Sequence, residues 1–166
     1  MTDEGYIDGP GGRIWYGTRN DDSPGIPLLV VHGGPGFLSM TDVVSDLADE
    51  RPVYFYDQLG CGRSARPADK SLFTIEHYVA ELAAVRAALG LREVHLLGQS
   101  WGCMLVAEYL LRMRPEGVRS LTLSGPLLSA PLWEADQRTY LAALPAAQQA
   151  VVAEAERTGD FGDAYQ

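Results

Sequence analysis

Cysteine is scarce: Cys61 and Cys103 are the only two in 166 residues. Two distant thiols build no disulfide framework, and no CxxC or Cys/His cluster has the spacing of a metal site. Basic residues are also few, 13 Lys and Arg against 22 Asp and Glu, which leaves a net charge of −9. Such a chain repels phosphate backbones and anionic bilayers, so neither nucleic acid nor membrane is an expected partner. Long apolar runs are missing too. Ile26 to Val31 is among the longest, far short of the roughly 20 residues that span a bilayer. The opening MTDEGYIDGPGG has no basic stretch followed by an apolar one, so no secretory leader is expected. There is no GxxxxGK[ST] or GxGxxG phosphate loop. These absences favour a reducing, cytoplasmic setting and chemistry without a metal or an organic cofactor.

What is present reads as a globular domain, with 46% hydrophobic and 21% charged residues. Short apolar runs alternate with helical periodicity. Arg13 to Gly17 has strand composition. Ile26 to Val31 and Val53 to Tyr56 are candidate buried strands, and Val94 to Leu97 and Val118 to Leu123 a third and a fourth strand. Between them, Thr74 to Leu89 predicts an amphipathic helix: Thr74 caps it, Ile75, Tyr78, Val79, Leu82, Val85 and Leu89 repeat at helical spacing, and Gly90 stops it. A second helix is predicted over 104–112. Strands alternating with helices imply a parallel sheet covered on both faces. Sites in such sheets lie at the carboxyl ends of the strands. Three unusual loops fall there: His32-Gly33-Gly34-Pro35-Gly36, Asp57 to Ser64 (DQLGCGRS) and Gly98 to Gly102 (GQSWG). After Ser124 the character changes, and 131–143 and 145–157 predict two helices rich in Ala, Glu and Gln.

GxSxG between a strand and a helix is the pattern of a nucleophile elbow. The turn must be sharp, so Gly98 and Gly102 are needed where strand and helix close in, and Ser100 is exposed at the head of the helix. The Trp101 N–H, at the helix start, can donate to an oxyanion. In HGGPG, two small residues let the backbone approach a bound carbonyl oxygen. Gly34 is the expected second donor, with Gly33 beside it in contact with substrate. Asp57 is expected to support its loop, with Arg63 as partner, rather than to act as a catalytic acid.

HGGPG, YDQLGCGRS and GQSWGCMLV, in this order, resemble the proline iminopeptidase family of α/β-hydrolases and its relatives, the tricorn-interacting aminopeptidase and the L-amino-acid amidases. The likeness runs from about residue 5 to 166. It implies an α/β-hydrolase fold, here incomplete, with residues 1–126 as the N-terminal part of the core and 127–166 as the start of a helical cap. It implies Ser100 as nucleophile and the Gly34 and Trp101 amides as oxyanion hole. The substrate class it implies is a short peptide with an N-terminal proline or other amino acid, or an amino-acid amide. Phe37, after HGGPG, is expected to line the amide-side pocket. Cys103 stands where relatives commonly have a second glycine.

One absence remains. In this fold the triad runs Ser, then Asp or Glu, then His, yet no histidine follows His95. His32 is expected to bond backbone, His77 to sit on the long helix and His95 to pack within a strand. Asp136, Glu154, Asp160 and Asp163 fall in the cap. The acid and the base are therefore expected outside this sequence, supplied by a missing C-terminal portion. A complementary fragment or self-association is the expected partner. An esterase or lactonase on the same fold, and a catalytically inert interaction fragment, remain alternatives.

Overall fold

The structure is a computed structural model that describes residues 2–37, 39 and 44–162, apart from the side chains of Thr2 and Ser45. Asp163 lies outside them. Six strands form one sheet: β1 (Thr2–Gly9), β2 (Gly12–Arg19), β3 (Leu28–Val31), β4 (Val53–Tyr56), β5 (Val94–Gln99) and β6 (Val118–Ser124). Helices α1 (Ile75–Ala88) and α2 (Trp101–Met113) belong to the same unit, and α3 (Ala130–Ala142) and α4 (Ala146–Thr158) follow. The chain divides into two compact units, at Leu128/Ser129, where the sequence reading set the boundary between 126 and 127. Among the described residues no helix is long and apolar enough to cross a membrane.

The strand order is β1-β2-β4-β3-β5-β6. β4, β3, β5 and β6 run parallel, as strands joined by crossover connections should; β3 is buried throughout, whereas β6 (VRSLTLS), at the end of the strand order, is largely exposed. The expectation of a parallel sheet needs one correction: β1 and β2 form an antiparallel hairpin, and β2 joins β4 antiparallel. Pro10 and Gly11 make the tight connection between the paired Gly9 and Gly12, so no crossover is available there. β1 is also an element that the apolar patterning did not announce, because TDEGYIDG carries only Tyr6 and Ile7 as large apolar residues.

The larger core cluster lies between the sheet and both helices, with Leu29, Val31, Leu82, Val85, Leu96 and Leu105 at its centre. Each fully buried leucine or valine contributes about 2 kcal/mol relative to exposure. A smaller cluster on the opposite face joins Leu28, Val30, Val53 and Phe55 to Ala48 of a short 3₁₀ turn (Ser45–Asp49). So α1 and α2 share one face, where cover on both faces by helices was expected. α1 starts as its sequence predicts: the Thr74 hydroxyl accepts from the His77 N–H at 3.2 Å, and Gly90 turns out of the helix at φ +66°.

Candidate active site

β3 lies between β4 and β5 and is parallel to both. The loops that leave these three strands therefore emerge side by side. They are the three loops singled out in the sequence.

Ser100 sits between β5 and α2 with φ 51° and ψ −116°. A non-glycine residue holds such a conformation only where its surroundings over-determine it, at a cost of about 1–3 kcal/mol. The surroundings are visible. The Ser100 N–H donates to the Ser124 carbonyl at 2.9 Å. A methyl at Gly98 would lie 2.6 Å from the Gly102 carbonyl oxygen and 2.8 Å from the Cys103 backbone. One at Gly102 would press into the carbonyl oxygens of Val31 and His32. Strand and helix thus close on the turn until only hydrogen fits. The Ser100 hydroxyl makes no capping bond to the helix that it precedes, so Ser100 is not a side-chain helix cap.

The loop after β3 packs on this elbow. A methyl at Gly33 would stand 2.9 Å from the Gln99 carbonyl oxygen and 3.1 Å from Ser100 Cβ. Gly34 adopts φ +119°, open to glycine and hostile to other residues. Among the described residues, neither the Gly34 nor the Trp101 N–H has an acceptor. Two amides without acceptors thus lie on the two loops that meet at the uncapped Ser100. Phe37 is 70% exposed and lies outside the residues that line the adjacent cavity. That cavity, of about 310 Å³, is bounded by Pro35, Gly36, Leu59, Phe73, Tyr78 and Trp101, with Cys61 also in its wall.

Asp57 is fully buried and its oxygens are occupied. They accept from the Ser39 N–H at 3.0 Å, the Arg63 N–H at 2.9 Å and Arg63 Nε at 3.0 Å. Burial alone would push this carboxyl up, but the hydrogen bonds from Arg63 and Ser39 bring it below the ordinary carboxylate value. Arg63 also stacks over the Trp15 ring, 3.1 Å from its centroid. Asp57 is thus a loop anchor, as expected, with no oxygen free for proton transfer. Nearby, Ser64 accepts from the Trp15 N–H at 2.8 Å and donates to the Asp57 carbonyl.

None of the three histidines serves as a base for Ser100. Both ring nitrogens of His32 are engaged with backbone: Nδ1 bonds the Gly33 carbonyl at 2.8 Å, and Nε2 accepts from the Gln58 N–H at 3.0 Å. Burial lowers its pKa, against the Gly33 hydrogen bond and the charge of Asp57. His77 is on the first turn of α1, its buried Nε2 without a partner among the described residues. His95 is near the start of β5, the end away from Ser100, and bonds Ser120 Oγ at 2.7 Å. Cys103 packs in the core, its thiol directed at the Gly98 carbonyl at 3.0 Å.

Two features escaped the sequence reading. Gln58 is fully buried and bridges His32 to the Trp101 indole; its only sequence signal was its place in the DQLG stretch. Glu81, on α1, is fully buried and accepts from the Leu59 N–H at 3.1 and 3.3 Å. Burial pushes its carboxyl up to about 8, against the downward pull of that N–H.

Comparison with known proteins agrees with this geometry. A family model described as the alpha/beta hydrolase fold matches residues 26–161. The proline iminopeptidase of Heyndrickxia coagulans is 46% identical over 160 residues, 96% of this chain and 55% of that protein. That of Clostridium botulinum is 45% identical over 139 residues, 81% of this chain and 47% of its own length. The crystal structure of the Mycobacterium smegmatis proline iminopeptidase superposes with a TM-score of 0.83 at 32% identity, covering 98% of this chain and 57% of that one. The chain spans about half the length of the curated relatives it matches. With a family match over most of its residues and an elbow at the strand end where that fold keeps its nucleophile, the chain belongs to the alpha/beta hydrolase fold family.

Proposed function

We propose that this chain supplies the nucleophile and the oxyanion hole of a serine aminopeptidase. The enzyme releases an N-terminal proline or another amino acid from short peptides or amino-acid amides. The observation that carries the reading is Ser100, strained at φ 51° and uncapped, beside the two unpaired amides. The similarity to proline iminopeptidases supports the substrate class.

The Ser100 hydroxyl attacks the carbonyl carbon of the N-terminal residue while a histidine takes its proton. The oxyanion that forms rests between the Gly34 and Trp101 N–H groups, where loss of one donor costs roughly 3 kcal/mol. The C–N bond then breaks, the leaving amine takes the proton back from the histidine, and an acyl-serine remains. Water, deprotonated by the same histidine, attacks the ester; as the acyl C–O bond breaks, the histidine returns that proton to Ser100 Oγ and the amino acid is freed. The histidine and its acidic partner come from residues outside this sequence, on a complementary C-terminal portion. The net charge of −9 favours substrates with a free amine. Free, buried Cys61 and Cys103 suit a reducing, cytoplasmic setting.

The test compares amino-acid p-nitroanilides with p-nitrophenyl esters, using the active protein that carries this chain and its Ser100→Ala variant. An intact mass spectrum of the same sample identifies the polypeptide that brings the histidine. Amide turnover that requires a free amine and vanishes in Ser100→Ala is the expected result. Ester turnover without any amine requirement overturns the aminopeptidase reading in favour of an esterase.

A further inference from the structure

We infer that His32 and Gln58 are positioning residues: one hydrogen-bonded chain, from the Trp101 indole to the Gly33 carbonyl, fixes the Gly34 and Trp101 amides relative to each other. The inference rests on the proposed role of those amides as the oxyanion hole.

The chain can be followed atom by atom. Trp101 Nε1–H donates to Gln58 Oε1 at 3.1 Å. Gln58 Nε2 donates to the His32 carbonyl at 2.8 Å. The Gln58 backbone N–H donates to His32 Nε2 at 3.0 Å. His32 Nδ1 faces the Gly33 carbonyl at 2.8 Å. The tautomer follows from the partners: an N–H can only donate to Nε2, so Nε2 carries the lone pair and Nδ1 carries the proton. The last link matters most. The Gly33 carbonyl and the Gly34 N–H belong to one planar peptide group and point in opposite directions. Holding the oxygen therefore aims the hydrogen. At the other end, the indole belongs to the residue whose backbone N–H is the second donor.

This network joins all three strand-end loops, across separations of 26 and 43 residues. His32 is 1% exposed and Gln58 is 0% exposed. A buried polar network costs stability unless every member is satisfied, and here each side-chain polar atom has a partner. If these two residues only filled space, apolar side chains would do so more cheaply. Preorganised donors need such a supporting shell, because small misplacements cost rate.

The test reads the amides directly, by ¹⁵N–¹H spectra of this chain, so that it stands apart from any assay. Gln58→Met keeps the backbone N–H and the side-chain length but removes both side-chain links. The Gly34 and Trp101 amide signals are expected to move, and the Trp101 indole hydrogen to exchange about tenfold faster. The amides of Leu110 and Leu111, late in α2, should stay in place. An unmoved Gly34 amide overturns the inference. Should Gln58→Met fail to fold, Gln58→Glu keeps an acceptor for the indole but removes the amide that donates to the His32 carbonyl, and it must still move the Gly34 signal. In the active protein, Gln58→Met should lower kcat on the order of 10²-fold with KM within about twofold; a change in KM alone overturns the positioning role. Wild-type turnover decides the functional reading separately. An inactive wild type whose Gly34 amide still follows Gln58 refutes the aminopeptidase and leaves the positioning intact.

Discussion

The unit ending at Leu128 and the unit beginning at Ser129 are built on opposite terms. In the first, polar groups are buried and held: Asp57, Gln58 and Glu81 are 0% exposed, and each binds backbone across a loop boundary. In the second, α3 has no buried residue and α4 buries only Ala155. Its contacts are exposed ion pairs, such as Arg138 to Glu156 at 2.8 Å and Arg157 Nε to Glu154 at 2.9 Å, together with the Ser129 cap on α3. Exposed pairs of this kind contribute little. The first unit therefore specifies its loops by burying their polar groups. The second has helices specified by local capping and composition.

The sharpest break of this contrast is Gly102→Val. Its side chain must displace the Val31 and His32 carbonyls. A loss of about 3 kcal/mol or more is expected in urea unfolding, enough to prevent folding in a marginal domain. Next comes Glu81→Gln. Glu81 titrates at about 8 in the fold against an ordinary 4.5, so between those values the folded state holds a proton that the unfolded chain has released. Stability therefore falls as pH rises from about 4.5 to about 8 and levels off above that, the contribution of the bound proton, a few kcal/mol, being gone. Unfolding curves across this range should slope in the wild type and flatten in Glu81→Gln. A smaller effect of the opposite sign is expected from Ser100→Gly, which relieves φ 51° and should raise stability by about 1 kcal/mol while removing the proposed nucleophile. Last, Arg138→Ala, which breaks an exposed pair in the second unit, should leave the melting temperature unchanged. A clear drop there would mean that this unit depends on its charges, and the contrast would fail.

Much of the first unit was legible in the chain. Helix α1 starts at Ile75, as the Thr74 cap predicts, and ends before Gly90. β3, β4 and β5 lie where their apolar runs are. α2 begins at Trp101, three residues before its predicted start, because the periodic signal begins only after the elbow glycines. β1 was not legible, since its pairing with β2 comes from a tight glycine turn and not from an apolar pattern. Glu81 and Arg86 also escaped: both are buried on α1, where a helical wheel reads charged residues as a solvent face. Their partners, Leu59 for one and the carbonyls of Leu91, Arg92 and Glu116 for the other, are backbone groups that no residue type announces.

The sequence by itself determined the order of strands and helices, the elbow glycines and the three loops at the strand ends, because periodicity, capping and steric need are local and written in residue types. The absence of any histidine beyond His95 is equally plain in the sequence. The tertiary structure alone decided that both His32 ring nitrogens bind backbone, that Asp57 is a loop anchor, and that Gln58 ties the Trp101 indole to the loop after β3. Those roles depend on which polar groups meet when distant segments fold together in an interior where leaving a polar group unpaired is costly.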